Sequence, residues 1–337
     1  MSFARLIKDI ANSAQSARDM QELEAHNLFA AMLDGGVPDL ELGALLVALR
    51  LKSESISELH GFYRAMSQRI YPLRAPGTGM KPLVFASYCG AREVPNLLPL
   101  VVLMLQRLGI PVLVHGTLEG GRRVATSYIL RELGVLPSAS LAQAQQALDE
   151  DLLAFVPTAV ICPGLANLLS LRNRLGVRNS AHQMAKLLNP FSGDCVRVAS
   201  AADAGLLHTL EQFFLESGNE ALLLTNTDGE SFANPMQRPR MMQIRGGQHS
   251  VLFEEETHAS RGPIGLPEGL DAGATATWIR LAMAGDVPIP HPIVNQLACC
   301  LFVSGYADDM NQAKAIAAVV AGGVSAPGHA VTSAVRD

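Results

Sequence analysis

The stretch YPLRAPGTGMKP, residues 71–82, constrains the fold most, because the hydrophobic period differs on its two sides. Its Pro and Gly suit neither helix nor strand and mark a linker. Before it, apolar residues recur at helical spacing through Leu28, Phe29, Met32 and Leu33, and again through Leu42, Leu45, Leu46 and Leu49. Ser55 and Glu58 form a capping box that opens a further helix. After it, short apolar runs alternate with helical segments: LVFASY, NLLPLVVLMLQRLG, PVLVHG and RRVATSYILRELG, with LAFVPTAV, CVRVAS and ALLLTN continuing the strand series. This order predicts an α/β protein with a small N-terminal all-helical domain over residues 1–72. A larger α/β domain follows, with a mostly parallel central sheet flanked by helices.

Composition narrows the function classes. The 337 residues exceed one typical domain, and 49% hydrophobic content can bury sizeable cores. No apolar run reaches the roughly 18 residues that span a bilayer, since LLPLVVLML contains Pro99 and is followed by Gln106 and Arg107. The N-terminus, MSFARLIKDIANSAQ, is an amphipathic helix candidate without a signal-peptide core, so no membrane partner and a cytoplasmic location are expected. Cys89, Cys162, Cys195, Cys299 and Cys300 form no CxxC pair and read as buried thiols. Without HExxH spacing among the histidines, no metal is expected. The Ala/Gly/Val-rich end, residues 326–337, reads as a frayed tail.

Three segments carry a resemblance. DGGVPDLELGALLVALRLKSESISELHGFYRAM (residues 34–66), GIPVLVHGTLEGGRRVATSYILRELGV (109–135) and LRNRLGVRNSAHQMAKLLNP (171–190) resemble the anthranilate phosphoribosyltransferase family, glycosyltransferase family 3. The resemblance is strong to about residue 235 and thin beyond. It implies helices around 164–190 that return to complete the helical domain, leaving 82–163 and 191–325 as the α/β domain. It also implies a homodimer, with the helices near Phe3 to Asn12, Pro38 to Lys52 and Gly164 to Gly176 on a two-fold axis. Leu42, Leu45, Leu46 and Leu49 are expected to supply its buried area.

Against the family's motifs this chain departs repeatedly. The diphosphate loop GTGGDG aligns with Ala86, Ser87, Tyr88, Cys89, Gly90 and Ala91, which puts bulk where a backbone would approach the ligand and places Gly90 on the aspartate. NIST becomes Asn96-Leu97-Leu98-Pro99, losing both hydroxyls. KHGNR becomes Val114-His115-Gly116-Thr117-Leu118, losing both cations. The magnesium-holding Asp-Glu falls on Glu230 and Ser231, a poor metal site, with Asp228 nearby. Arg123 matches a family lysine, and Arg172 matches the arginine that contacts anthranilate. Ser87, Tyr88, Cys89, Gly90, Asn96, His115 and Gly116 therefore read as vestigial phosphate-loop positions. No catalytic residue is assigned.

Charge suggests another use. From Leu152 through Gly193 there is no Asp or Glu, while Arg172, Arg174, Arg178 and Lys186 stand there with His182 between. Their four-residue spacing puts Arg174, Arg178, His182 and Lys186 in one row if the helix is unbroken; Gly176 and Asn179 are candidates to divide it. Arg122 and Arg123, at the start of the following α/β-domain helix, could extend the track. PMQRPRMMQIRGGQH, with Arg238, Arg240 and Arg245, is a weaker candidate that reads as a surface loop. The formal net charge of −5 and pI near 6.0 run against a dedicated nucleic-acid domain, a tension that a local basic patch on an acidic body reconciles.

The loop SYCGAR and the segment GVRNSAH closely resemble those of the YbiB-like proteins, a non-enzymatic branch of this fold. That resemblance implies binding of DNA and RNA and no transferase activity. The expectation is a homodimeric, sequence-indifferent nucleic-acid-binding protein without a cofactor. The alternative is a phosphoribosyl transferase with altered substrates, for which magnesium and phosphoribosyl diphosphate would be needed. A scaffold holding a small anion at the remodelled loop is a third.

Overall fold

A computed structural model describes residues 2–11, 18–225, 229–256 and 265–322; Asp228 and residues 326–337 lie outside them. The first domain holds four helices: α1 (Phe3–Ile10), α2 (Glu22–Leu33), α3 (Asp39–Lys52) and α4 (Ile56–Ser67). The capping box forms at α4: Ser55 Oγ accepts from Glu58 N–H at 3.3 Å, and Glu58 Oε2 accepts from Ser55 N–H at 2.8 Å. The same buried carboxylate accepts from Met20 N–H at 2.9 Å and from Lys52 Nζ at 2.7 Å. One side chain thus ties α3 and α4 to the segment that leads into α2. Helices α2 and α4 lie close enough for Phe29 and Phe62 to stack at 4.6 Å, and a β-carbon at Gly61 would fall 2.3 Å from the Glu22 carbonyl. Leu45, Leu46 and Leu49 are consumed by this core. That corrects their expected role in a dimer contact; the exposed apolar side chains of α3 are Leu40 and Leu51, 83% and 79% accessible.

The second domain alternates strands and helices: β1 (Leu83–Ser87), α5 (Leu98–Arg107), β2 (Val112–Gly116), α6 (Thr126–Glu132), α7 (Leu141–Asp151) and β3 (Leu153–Pro157). The chain then leaves the sheet through α8 (Thr158–Ile161), α9 (Pro163–Ser170), α10 (Arg172–Leu175) and α11 (Ala181–Leu187). Helix α9 packs on α2 and α11 on α4, so these segments adjoin the helical domain. Contact is tight at Gly164, where a β-carbon would meet the Leu33 carbonyl at 2.3 Å. The sheet resumes with β4 (Val196–Ser200), α12 (Ala204–Ser217), β5 (Glu220–Leu224), β6 (Met241–Arg245) and β7 (Gln248–Phe253), and α13 (Ala272–Ala284), α14 (His291–Val303) and α15 (Met310–Ala321) follow.

The seven strands run β3-β2-β1-β4-β5-β6-β7, parallel through β5 and antiparallel beyond. Alternation along β1 divides the core: Leu83 and Phe85 join the side of α5, α13 and α14, while Val84 and Ala86 join the side of α9, α11 and α12. Both faces are covered, which is why the parallel strands read as continuous apolar runs. Of the segment read as a surface loop, residues 235–240 are loop, while Met241 onward forms the β6–β7 hairpin, turning through Gly246 and Gly247, both at positive φ. Helix α6 starts at Thr126, leaving Arg122 and Arg123 in the loop before it. All five cysteines are buried and unbridged. No helix among the described residues is long and apolar enough to cross a membrane.

Candidate functional site

The loop after β1 is occupied from within. The Glu230 carboxylate, fully buried, accepts from Cys89 N–H at 2.8 Å and Gly90 N–H at 2.6 Å through Oε1, and from Thr126 Oγ1 at 3.4 Å through Oε2. Burial pushes its pKa above the usual carboxylate range, while hydrogen bonds from Ser87, Cys89, Gly90 and Thr126 pull the other way. Gly90 sits at φ +65°, and a β-carbon there would lie 2.9 Å from Arg123 Cβ. Glycine is required here for packing as well as conformation. Ser231 Oγ donates to the Ala86 carbonyl at 3.3 Å.

Of the other vestigial positions, Asn96 is engaged by hydrogen bonds, His115 is buried without a partner among the described residues and Gly116 is fixed by packing. Asn96 Nδ2 donates to Val124 O at 3.1 Å and to Thr126 Oγ1 at 3.0 Å, and its Oδ1 accepts from Leu98 N–H at 3.2 Å at the start of α5. His115 is buried, neither ring nitrogen has a partner among the described residues, and burial pushes its pKa down to about 4. At Gly116 a β-carbon would overlap the Ser87 carbonyl, 1.5 Å away, so this glycine lets β1 and β2 end side by side.

The basic stretch does not form one exposed row. Gly176, at φ +74°, divides it into α10 and α11. Arg172 is half-buried; Arg174 is exposed and faces Asp39 at 3.6 Å. Arg178 lies between the helices, near enough to the loop that a β-carbon on Gly229 would sit 3.2 Å from its guanidinium. His182 and Lys186 are corrections to the expected surface row: both are buried, because α11 is enclosed by β4 and β1 on one side and α4 on the other. Burial, reinforced by Arg178 and Arg172, pushes His182 down to about 3, so it is neutral. Lys186 donates to the Ser200 carbonyl, and burial pushes it down to about 8.

Two cavities gather the cations instead. The larger, about 590 Å³, is lined by Arg92, Arg122, Arg123 and Arg172, with Glu119 as its carboxylate. The smaller, about 250 Å³, is lined by Arg50, Arg178 and Lys186, with Glu54 and Asp203 opposing them. Tyr88 and His182 line both. Their rings meet edge to face at 5.6 Å and 75°, forming the wall between the cavities. Arg50 and Arg92 escaped the charge reading because they lie outside the acid-free interval from Leu152 to Gly193, while Tyr88 was read only as a vestigial loop position. Arg238, Arg240 and Arg245 line neither cavity; they engage Glu254 and Glu220 around the hairpin.

The fold, a helical bundle beside an α/β domain with a mostly parallel seven-stranded sheet, is that of the anthranilate phosphoribosyltransferases. The Thermus thermophilus enzyme superposes with a TM-score of 0.75 at 23% identity, covering 94% of this chain and 95% of that one. The Saccharomyces cerevisiae enzyme in complex with PRPP and Mg superposes at 0.71 with 12% identity, over 94% and 93% of the two chains. Residues 5–70 match the model described as glycosyl transferase family, helical bundle domain. In sequence, the enzyme of Novosphingobium aromaticivorans is 25% identical over 87% of this chain and 89% of its own. The uncharacterized protein YbiB of Escherichia coli K12 is 41% identical, over 91% of this chain and 96% of its own length. The chain belongs to the YbiB family of anthranilate phosphoribosyltransferase-like proteins.

Proposed function

We propose that the protein binds nucleic acid through phosphate contacts, largely without regard to sequence, as a homodimer, and that it is not a phosphoribosyltransferase. The observation that carries this reading is the convergence of Arg92, Arg122, Arg123 and Arg172 on one cavity whose lining holds one carboxylate, Glu119, with Arg92 paired to Glu93 at 3.4 Å, and of Arg50, Arg178 and Lys186 on the adjoining one. Such a concentration of cations, on a chain of net charge −5, suits a polyanion.

Magnesium diphosphate does not fit the residues present. The loop amides that would meet it are taken by Glu230, whose oxygens are thereby engaged away from a metal, and Ser231 is turned to a backbone carbonyl. Among the described residues no three His, Cys, Asp or Glu side chains cluster as metal ligands. The transferase alternative draws its support from the 25% identity to a named enzyme across most of the chain.

The test is binding of a labelled oligonucleotide to the wild type and to a charge-reversed Arg122→Glu/Arg172→Glu variant, beside calorimetry with magnesium and phosphoribosyl diphosphate. Oligonucleotide binding lost in the variant, with no heat from the diphosphate, is expected. Retained binding in the variant, or micromolar diphosphate binding, refutes the reading.

A further inference from the structure

Resting on the nucleic-acid reading, we infer that the larger cavity seats a single nucleotide unit at a strand end, and not the body of a duplex. Size is the first argument. A volume of about 590 Å³ is that of a small-molecule pocket, too small to enclose a base-paired segment. Whatever enters does so one residue at a time.

The lining then matches the parts of a nucleotide. Arg122 is exposed and Arg172 half-buried, and neither has a carboxylate partner among the described residues; Arg92 and Arg123 add charge to the same cavity. Because Glu230 fills the loop amides, a phosphate in this cleft must be met by these guanidinium groups, which bind its oxygens in pairs. Apolar surface from Tyr88, Leu118, Ala166 and Leu169 accommodates a flat, weakly polar body.

Thr158 supplies an independent pointer. It is 2% exposed, lines the cavity at the start of α8, and its hydroxyl has no hydrogen-bond partner among the described residues. A buried hydroxyl without a partner costs free energy that a bound ligand oxygen would recover. Ser170 and Asn173 add further polar groups suited to sugar hydroxyls. A cavity built for an apolar ligand would need none of these.

The experiment titrates adenosine 5′-monophosphate, adenosine and benzoate separately into the purified protein by calorimetry. Single-stranded oligonucleotide, linear with a 5′-phosphate or circular, is measured in parallel. Variants Arg172→Gln, Thr158→Val and, as a control outside the cavity, Arg64→Gln are compared, each checked by its melting curve. The inference expects the mononucleotide to bind at least about tenfold more tightly than adenosine or benzoate. Arg172→Gln should weaken it about tenfold or more, Thr158→Val less, and Arg64→Gln not at all. The linear 5′-phosphorylated strand should outcompete the circular one. If both strands bind alike, untouched by Arg172→Gln, and the mononucleotide does not bind, the inference fails while the nucleic-acid reading survives. Mononucleotide binding without oligonucleotide binding sustains the pocket and removes that reading. Preference for benzoate overturns the nucleotide assignment.

Discussion

Replacing Glu230 with alanine probes the loop most sharply. The substitution leaves the buried Cys89 and Gly90 N–H groups, now held at 2.8 and 2.6 Å, without an acceptor. Each orphaned donor costs about 1–3 kcal/mol, and removing a carboxylate whose burial is itself unfavourable returns part of that, so a net loss of about 2–4 kcal/mol is expected. At about 2–4 °C per kcal/mol for a larger domain, the melting temperature falls by about 5–15 °C. Glu230→Gln keeps an Oε1 for both amides and turns an N–H donor to Thr126, so it loses about 1 kcal/mol or less. The vacated amides form an anion seat, and millimolar inorganic phosphate should raise the melting temperature of the alanine variant but not that of the wild type. The pH dependence has a defined sign. A carboxyl whose folded pKa is raised contributes stability below its unfolded value of about 4.3, lost as pH rises through the folded value. Wild type should therefore lose stability relative to Glu230→Gln as pH climbs through that window. An alanine variant that melts with the wild type and ignores phosphate refutes the internal-anion account.

Two further outcomes follow from burial and surface. His115 must stay neutral, since its folded pKa near 4 lies below the ordinary 6.5; its contribution is present above about pH 6.5 and lost as pH falls toward 4. His115→Leu should match the wild type within about 1 kcal/mol at pH 7.5 and exceed it by about 2.5 kcal/mol at pH 4.5 in urea unfolding, whereas parallel acid losses in both proteins contradict this. The homodimer should appear in light scattering at micromolar concentration, and Leu40→Glu on the exposed face of α3 should shift it toward monomer; a wild-type monomer removes the dimer.

Much of the fold was legible because it is local. The Ser55–Glu58 cap needs only three-residue spacing, and the parallel strands announce themselves as short apolar runs covered on both faces. The β6–β7 hairpin was missed because the Pro and Gly of its segment were read as a surface loop, although Gly246-Gly247 after the apolar MMQIR was a usable hairpin turn signal. The site was legible only as composition. Helical spacing shows that Arg178, His182 and Lys186 are four apart, but not that β4 and α4 enclose α11. Glu230 reaches the loop across some 140 residues of chain, and no spacing rule connects it to Cys89 and Gly90. Arg50 and Arg92 enter the cavities through packing of the two domains. The substitutions at Tyr88, Cys89 and Gly90 did mark the loop as altered, without disclosing what fills it.

Salt dependence of binding to a single-stranded oligonucleotide tests the central claim most directly. If phosphates are met in the two cation-lined cavities, log affinity should fall against log salt by about 0.7 for each phosphate neutralised, and the Arg122→Glu/Arg172→Glu variant should bind weakly with a shallower slope. An affinity that barely changes between roughly 50 and 300 mM salt, or a variant with the wild-type slope, would place binding elsewhere and contradict the account.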